Sequence, residues 1–157
     1  MKQIKFYFFS ISTLLIFFGC SSKIVEKKSL EYIPFSVGAY LIDVQVADKN
    51  EDRLEGLMFK KELNENQGMF FIFDKIEKQC FWMKNTIIPL SAAFIDKDGV
   101  IVNIVNMKPE TLNLHCSVKP VPYVLEMQES WFDKRGIKEG TKLDSSVFKF
   151  NLREINP

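Results

Sequence analysis

LSAAFIDKDGVIVNIVN, residues 90–106, is the stretch on which the fold turns. Two apolar runs, Leu90–Asp96 and Val100–Asn106, flank the turn Asp96–Gly99. Asp and Gly accept the backbone of a tight turn at little cost, so two runs at this spacing read as a β-hairpin. Upstream, Met69–Phe73 (MFFIF) is a short continuous apolar run, the pattern of a strand covered on both faces. Ala39–Ala47 sets Ile42, Val44 and Val46 against Leu41, Asp43 and Gln45, the alternation of a half-buried strand. Cys80–Thr86 (CFWMKNT), Tyr123–Met127 and Lys142–Phe150 read as further strands, the last closing the domain. Asn50 can cap a helix that carries Leu54, Leu57 and Met58 on one side, although Gly56 costs it about 1 kcal/mol relative to Ala. Lys60–Gly68 is polar and reads as a loop, and Trp131–Ile137 as a short turn or helix. Strands at short spacing without an internal repeat imply a mainly β single domain, a sandwich or partly open barrel with one or two short helices.

The N-terminus carries a different message. Lys2 and Lys5 precede an almost unbroken apolar run, Phe6–Phe18, which ends in Gly19-Cys20. That run is short for a membrane-spanning helix and has the flanks of a secretory signal. A Gly-Cys pair closing it resembles the bacterial lipoprotein signal, in which the Cys is lipidated and becomes the mature N-terminus. The expected organisation is a signal peptide at 1–19, a lipidated tether at 20–38 and a β-domain at 39–157, exported and held to a membrane of the cell envelope by acyl chains. Without Lys2 and Lys5, 19 basic side chains face 20 acidic ones. A balance near −1 offers no electrostatic footprint for nucleic acid. Three cysteines is an odd number for an exported chain. Lipidation of Cys20 leaves Cys80 and Cys116, which are expected to pair in an oxidising compartment.

Five segments in order carry a resemblance: RLEGLMFKKEL (Arg53–Leu63), GMFFIF (Gly68–Phe73), FWMKNTIIPL (Phe81–Leu90), AFIDKDGVIVNI (Ala93–Ile104) and YVLEM (Tyr123–Met127). Together they resemble the domain of unknown function 192 family over about Val44 to Phe148. The resemblance implies a compact β-sandwich of jelly-roll type, often exported, and implies no activity. Departures fall at Ser91, where the family usually has Asp, at Ser130 in place of Gly, at Thr141 in place of Asp, and at Lys60 where Arg is common.

Candidate chemistry is sparse. His115 is the only histidine, and no G-x-S-x-G stretch accompanies a nucleophile, so the machinery of hydrolysis is not visible. His115, Cys116 and Met83, with Met58, Met69, Met107 and Met127, have the softness for Cu(I), but the methionines stand singly among apolar neighbours, as core residues do. No cofactor motif appears. If CFWMKNT is a strand, Phe81 and Met83 face the core with Ile87, and Trp82, Lys84 and Thr86 share the other face. Two readings of that face stand together. One is a solvated strand on which Trp82 packs locally. The other is a Trp-lined basic recess for a small molecule, with Arg53 and Lys60 placed by the family resemblance in the segment that precedes the same core. The function expected is accordingly a small-ligand-binding or accessory lipoprotein, with copper handling as the alternative and an envelope enzyme as the second; an envelope protein could equally be the bound partner.

Labelled palmitate supplied to growing cells is expected to mark the protein, and Cys20→Ala to abolish the label. A mature chain that keeps Met1 and carries no lipid would contradict this.

Overall fold

The computed structural model describes residues 30–144. The expected signal at 1–19, Cys20 and residues 145–150 of the closing strand lie outside the described residues. Backbone pairing divides the strands in two. A six-stranded sheet has the order β1-β2-β3-β8-β5-β6, where β1 is Tyr32–Val37, β2 Tyr40–Ala47, β3 Gln67–Glu77, β8 Val121–Gln128, β5 Leu90–Ile95 and β6 Ile101–Met107. A separate ribbon pairs β4 (Cys80–Phe81) with β7 (His115–Cys116). One short helix, α1 (Asn50–Glu55), and a 3-10 turn at Asp133–Arg135 complete the mainly β architecture expected from sequence.

The hairpin at residues 90–106 forms as read. Leu90 lies opposite Met107 and Ala93 opposite Ile104, and the Asp96 carboxylate accepts the N–H groups of Asp98 and Val100, both at 3.0 Å. Three boundaries differ. Tyr32–Val37, assigned above to the tether, pairs with β2 as an edge strand, so the sheet takes in part of residues 20–38. Asn50 is the first residue of α1 and Lys49 its cap, with no side-chain capping bond, and Gly56 ends the helix after six residues. Lys142 makes only an isolated bridge with Val100.

β2 and β3 run parallel, with Val44 opposite Gly68 and Val46 opposite Phe70. A parallel neighbour cannot be reached by a tight turn, and residues 48–66 with α1 supply the crossover. β3 is longer than MFFIF, and its ladder with β8 is interrupted between Ile72 and Glu77. Residues 73–77 therefore leave the regular ladder and border the cleft described below.

Side chains of the central strands alternate between two apolar clusters. Phe70, Ala93, Leu125 and Met127 meet Trp131 and Phe132 on one face. Met69, Phe71, Ala92, Phe94 and Val124 meet Leu57, Met83 and Ile88 on the other. Backbones approach closely at Gly68, where a Cβ would lie 2.4 Å from the Glu126 carbonyl oxygen and from Met127 Sδ. The first face is closed by Arg135, whose guanidinium lies 4.4 Å from the Trp131 ring centroid and bonds Glu65 and Asn66.

Cys80 and Cys116 face each other across the ribbon, with Cα atoms 4.0 Å apart, and form the expected disulfide. The Ser117 N–H donates to Gln79 O at 2.9 Å, so the ribbon continues past the sulfurs by a backbone bond. The bridge spans a sequence separation of 36 and fastens residues 107–116 to the start of CFWMKNT. In the chain-entropy treatment a closure of that size contributes about 3–4 kcal/mol. Full reduction, or the Cys80→Ala/Cys116→Ala pair, is expected to lower unfolding stability by that order, read from the urea midpoint. Two reactive thiols in the unreduced, denatured domain would contradict the bond.

Candidate functional site

On the face of the sheet that carries Phe71, Phe94 and Val124 lies an open recess of about 610 Å³. Its wall on one side is α1 and the residues after it, Arg53 to Met58; on the other side are the ribbon and Trp82. Gly56, at φ 52°, brings the chain down onto the sheet, where a Cβ would meet the Phe71 ring at 3.4 Å. Phe71, Phe73 and Phe81 line the interior, with Phe81 edge-on to Phe71 at 4.9 Å and to Phe73 at 6.2 Å. A cleft of this volume with an aromatic interior and polar groups around it is the form of a small-molecule site.

One of those polar groups is Glu126. It sits on β8 opposite Met69 on one side and Ala92 on the other, so its side chain shares their face and lines the recess. It is 4% exposed, and no side-chain hydrogen bond or ion pair reaches it among the described residues. Burial pushes its carboxyl up to about 8 from an ordinary 4.5, because the charged form loses its hydration without gaining a partner. At neutral pH the group is mainly a neutral acid, able both to donate and to accept a hydrogen bond. The sequence reading missed it as a site residue, although a lone acid inside the apolar run YVLEM is a signal that a carboxyl is carried into a buried strand.

The residues proposed from sequence separate. Trp82 lines the recess, 47% exposed, and Thr86 also borders it. Thr86 is buried, however, and its hydroxyl donates to Lys84 O at 3.3 Å. Arg53 borders the recess with three of its donor bonds made within the protein: the guanidinium bonds the carbonyls of Asp48 and Ile72 and the Asp74 carboxylate, and lies 5.6 Å from the Phe73 ring centroid. These bonds hold the wall in place. Lys84 lies outside the recess, its ammonium 5.4 Å from the Trp82 ring centroid. Lys60 is also outside, over Tyr32 at 5.8 Å. The recess is therefore not the basic one expected, since Glu55, Asp74 and Glu77 face Arg53 and Lys75 in its lining, and Glu126 joins them as a neutral acid.

Period-2 parity fails within CFWMKNT. The strand stops at Phe81, and Asn85 takes a left-handed φ of 56°. Asn tolerates that conformation better than most residues. The turn is held by Thr86 N–H to Met83 O at 3.1 Å and by Phe59 N–H to Asn85 O at 2.9 Å. After it the faces exchange: Met83 and Thr86 are buried and Ile87 is exposed, against the expectation that Ile87 faces the core. The copper candidates do not assemble either. The Cys116 sulfur is bonded to Cys80, Met83 is packed in the apolar cluster, and among the described residues no group of three His, Cys, Asp or Glu side chains comes together as a metal site. His115 Nε2 is buried without a hydrogen-bond partner among the described residues. Ser91, where a family carboxylate is usual, lies opposite Met127 and so on the other face of the sheet. Its hydroxyl donates to Asn106 Oδ1 at 2.6 Å and accepts the Ser130 N–H at 3.0 Å, which ties β5 to the turn after β8. The substitution at 91 leaves the recess untouched.

The family model DUF192, described as an uncharacterized ACR, matches residues 35–145. Two solved structures share the fold. One, from Sinorhizobium meliloti 1021 and named as a candidate transcription regulator, has a TM-score of 0.68 at 29% identity, covering 76% of this chain and 95% of that one. The other, a protein of unknown function from Novosphingobium aromaticivorans DSM 12444, has a TM-score of 0.70 at 31% identity, covering 73% of this chain and 86% of that one. No curated protein matches the chain.

Glu126 gives stability a pH dependence of defined sign. Its folded value of about 8 lies above the ordinary 4.5, so between those values the folded chain keeps a proton that the unfolded chain has lost. Stability from this group is full below about 4.5 and falls as pH rises through about 8, by at most about 1.4 kcal/mol per pH unit. Glu126→Gln is expected to flatten that decline in urea unfolding measured from pH 5 to pH 9. An unchanged slope would show that the carboxyl is charged or solvated in the folded state.

Proposed function

Because this chain belongs to the DUF192 family, whose description assigns no reaction, we propose its function from the recess: it holds a small molecule in an apolar cleft with Glu126 at the floor and Trp82 at the rim. The observation that carries this reading is the unpartnered buried carboxyl facing an open, aromatic-lined space. A carboxyl so placed destabilises the fold whenever it ionises, and a ligand that bonds it recovers the lost interaction. The recess volume of about 610 Å³ falls among small-molecule sites, which run from about 300 to 1,000 Å³.

The setting we propose for this binding is the cell envelope, with Cys20 lipidated and residues following it tethering the domain to a membrane. The basic start, the apolar run and the Gly19-Cys20 pair support it. The Cys80–Cys116 bond agrees with an oxidising compartment. The regulatory role named for the Sinorhizobium protein is not carried over, because a chain of 21 basic and 20 acidic side chains, near neutral with or without Lys2 and Lys5, gives nucleic acid no footprint.

Protein extracted natively from its own envelope and analysed by mass spectrometry is expected to release a small molecule on denaturation. Glu126→Gln and Trp82→Ala, both folded by circular dichroism, are expected to lose it. Retention of the same molecule by both variants would place binding elsewhere and refute the recess.

A further inference from the structure

We infer that the recess takes an amine: a molecule with an apolar body that lies on the recess aromatics and one protonated nitrogen that pairs with Glu126. This deepens the binding function proposed above and rests on it. Three observations point to the class. The first is the carboxyl itself, more than nine-tenths buried, lining the recess and without a side-chain partner among the described residues. The second is the sign of the surroundings. The charged groups that share the recess come from α1 (Arg53, Glu55) and from the end of β3 (Asp74, Lys75, Glu77). Arg53 and Asp74 pair with each other, and over the lining as a whole three carboxylates (Glu55, Asp74, Glu77) face two cations (Arg53, Lys75), so it leans acidic by one charge and opposes an anionic ligand. The third is the aromatic interior: Phe71, Phe73 and Phe81 line the recess, Phe81 edge-on to the other two, and offer the surface on which the apolar body of an amine packs.

The chemistry balances simply. A protonated amine enters beside the neutral carboxyl, the carboxyl gives its proton to water, and the ammonium–carboxylate pair that remains supplies the counter-charge whose absence kept Glu126 neutral. Binding below pH 8 thus releases up to one proton per ligand. A neutral alcohol, in contrast, would bond the protonated acid and release none.

Isothermal titration calorimetry of the disulfide-bonded chain tests this with matched probes: benzylamine, phenethylamine, tryptamine and hexylamine against the corresponding alcohols. At pH 6.5, in two buffers of different ionisation heat, amines are expected to bind at least tenfold more tightly than their alcohols and to release close to one proton each. Glu126→Gln should remove both the preference and the release. Trp82→Ala should weaken amine binding while leaving the proton release in place. If alcohols bind as tightly as amines, or Glu126→Gln keeps the amine affinity, the amine assignment is overturned. If alcohols bind and Glu126→Gln weakens them, the recess stands as a binding site and only the ligand class is wrong. If no amine binds, the assignment fails; if neither series binds and native extraction also yields no molecule, the binding function fails with it.

Discussion

Everything else in the domain depends on the pairing of β8 along both of its edges. Leu125 lies between Phe70 and Ala93, and Glu126 between Met69 and Ala92, so the backbone polar groups of the strand are used in the plane of the sheet. Because residues 123–127 are paired on both edges, both faces of the strand can enter apolar clusters. The register then decides the chemistry. A slip of one residue would exchange Leu125 and Met127 with Val124 and Glu126, carrying the carboxyl into the closed cluster around Trp131 and Phe132. Gly68 enforces the approach: the space a side chain would need is taken by the Glu126 carbonyl. The same contact that brings β3 against β8 therefore aims Glu126 at the face of the sheet that carries the recess.

The rim of that recess is built differently from its floor. The ribbon contributes two residues per strand, too few to hold a position by pairing alone. A covalent bond at Cys80 and the edge-on packing of Phe81 against Phe71, Phe73 and Phe94 supply what the ladder lacks. Trp82 follows directly, half in solvent, its position inherited from the residues before it. Arg53 does the equivalent on the opposite wall, joining the carbonyls of Asp48 and Ile72. Floor and rim thus have separate origins of rigidity, one from the sheet and one from a crosslink and a half-buried cation.

What could be read from the sequence was local. The 90–106 hairpin, the strand within YVLEM and the cysteine pairing each follow from neighbours a few residues apart or from parity, and each is present. The parallel contact of β2 with β3 joins residues on either side of a crossover, and no spacing in the chain announces it. β1 was hidden by Pro34, which demotes a strand pattern yet is tolerated at a sheet edge, where β1 lies. CFWMKNT misled because a two-residue period persists on paper through Asn85, while the backbone leaves the extended region there. Arg53 and Lys84 were legible as cations near the core, but whether a guanidinium is free depends on which carbonyls the fold brings to it. Glu126 was the reverse case: its unusual placement was visible, and only the recess beside it gives that placement a use.

The strand order also has a consequence in time. β8 is the last long strand of the described chain and stands third from one edge and fourth from the other, between β3 and β5. The hairpin of β5 and β6 and the unit of β1, β2 and β3 can each begin from contacts within themselves, but they share no edge until residues 121–128 arrive. Phe70 must then find Leu125 across a long stretch of chain, and closure of so large a loop is entropically slow. A chain in the course of synthesis therefore stays open along the MFFIF edge of β3 until residues 121–128 have been made. For this domain, folding is an insertion that completes from the middle, and the interval before β8 arrives is when it is most exposed to chaperones, proteases and misassociation.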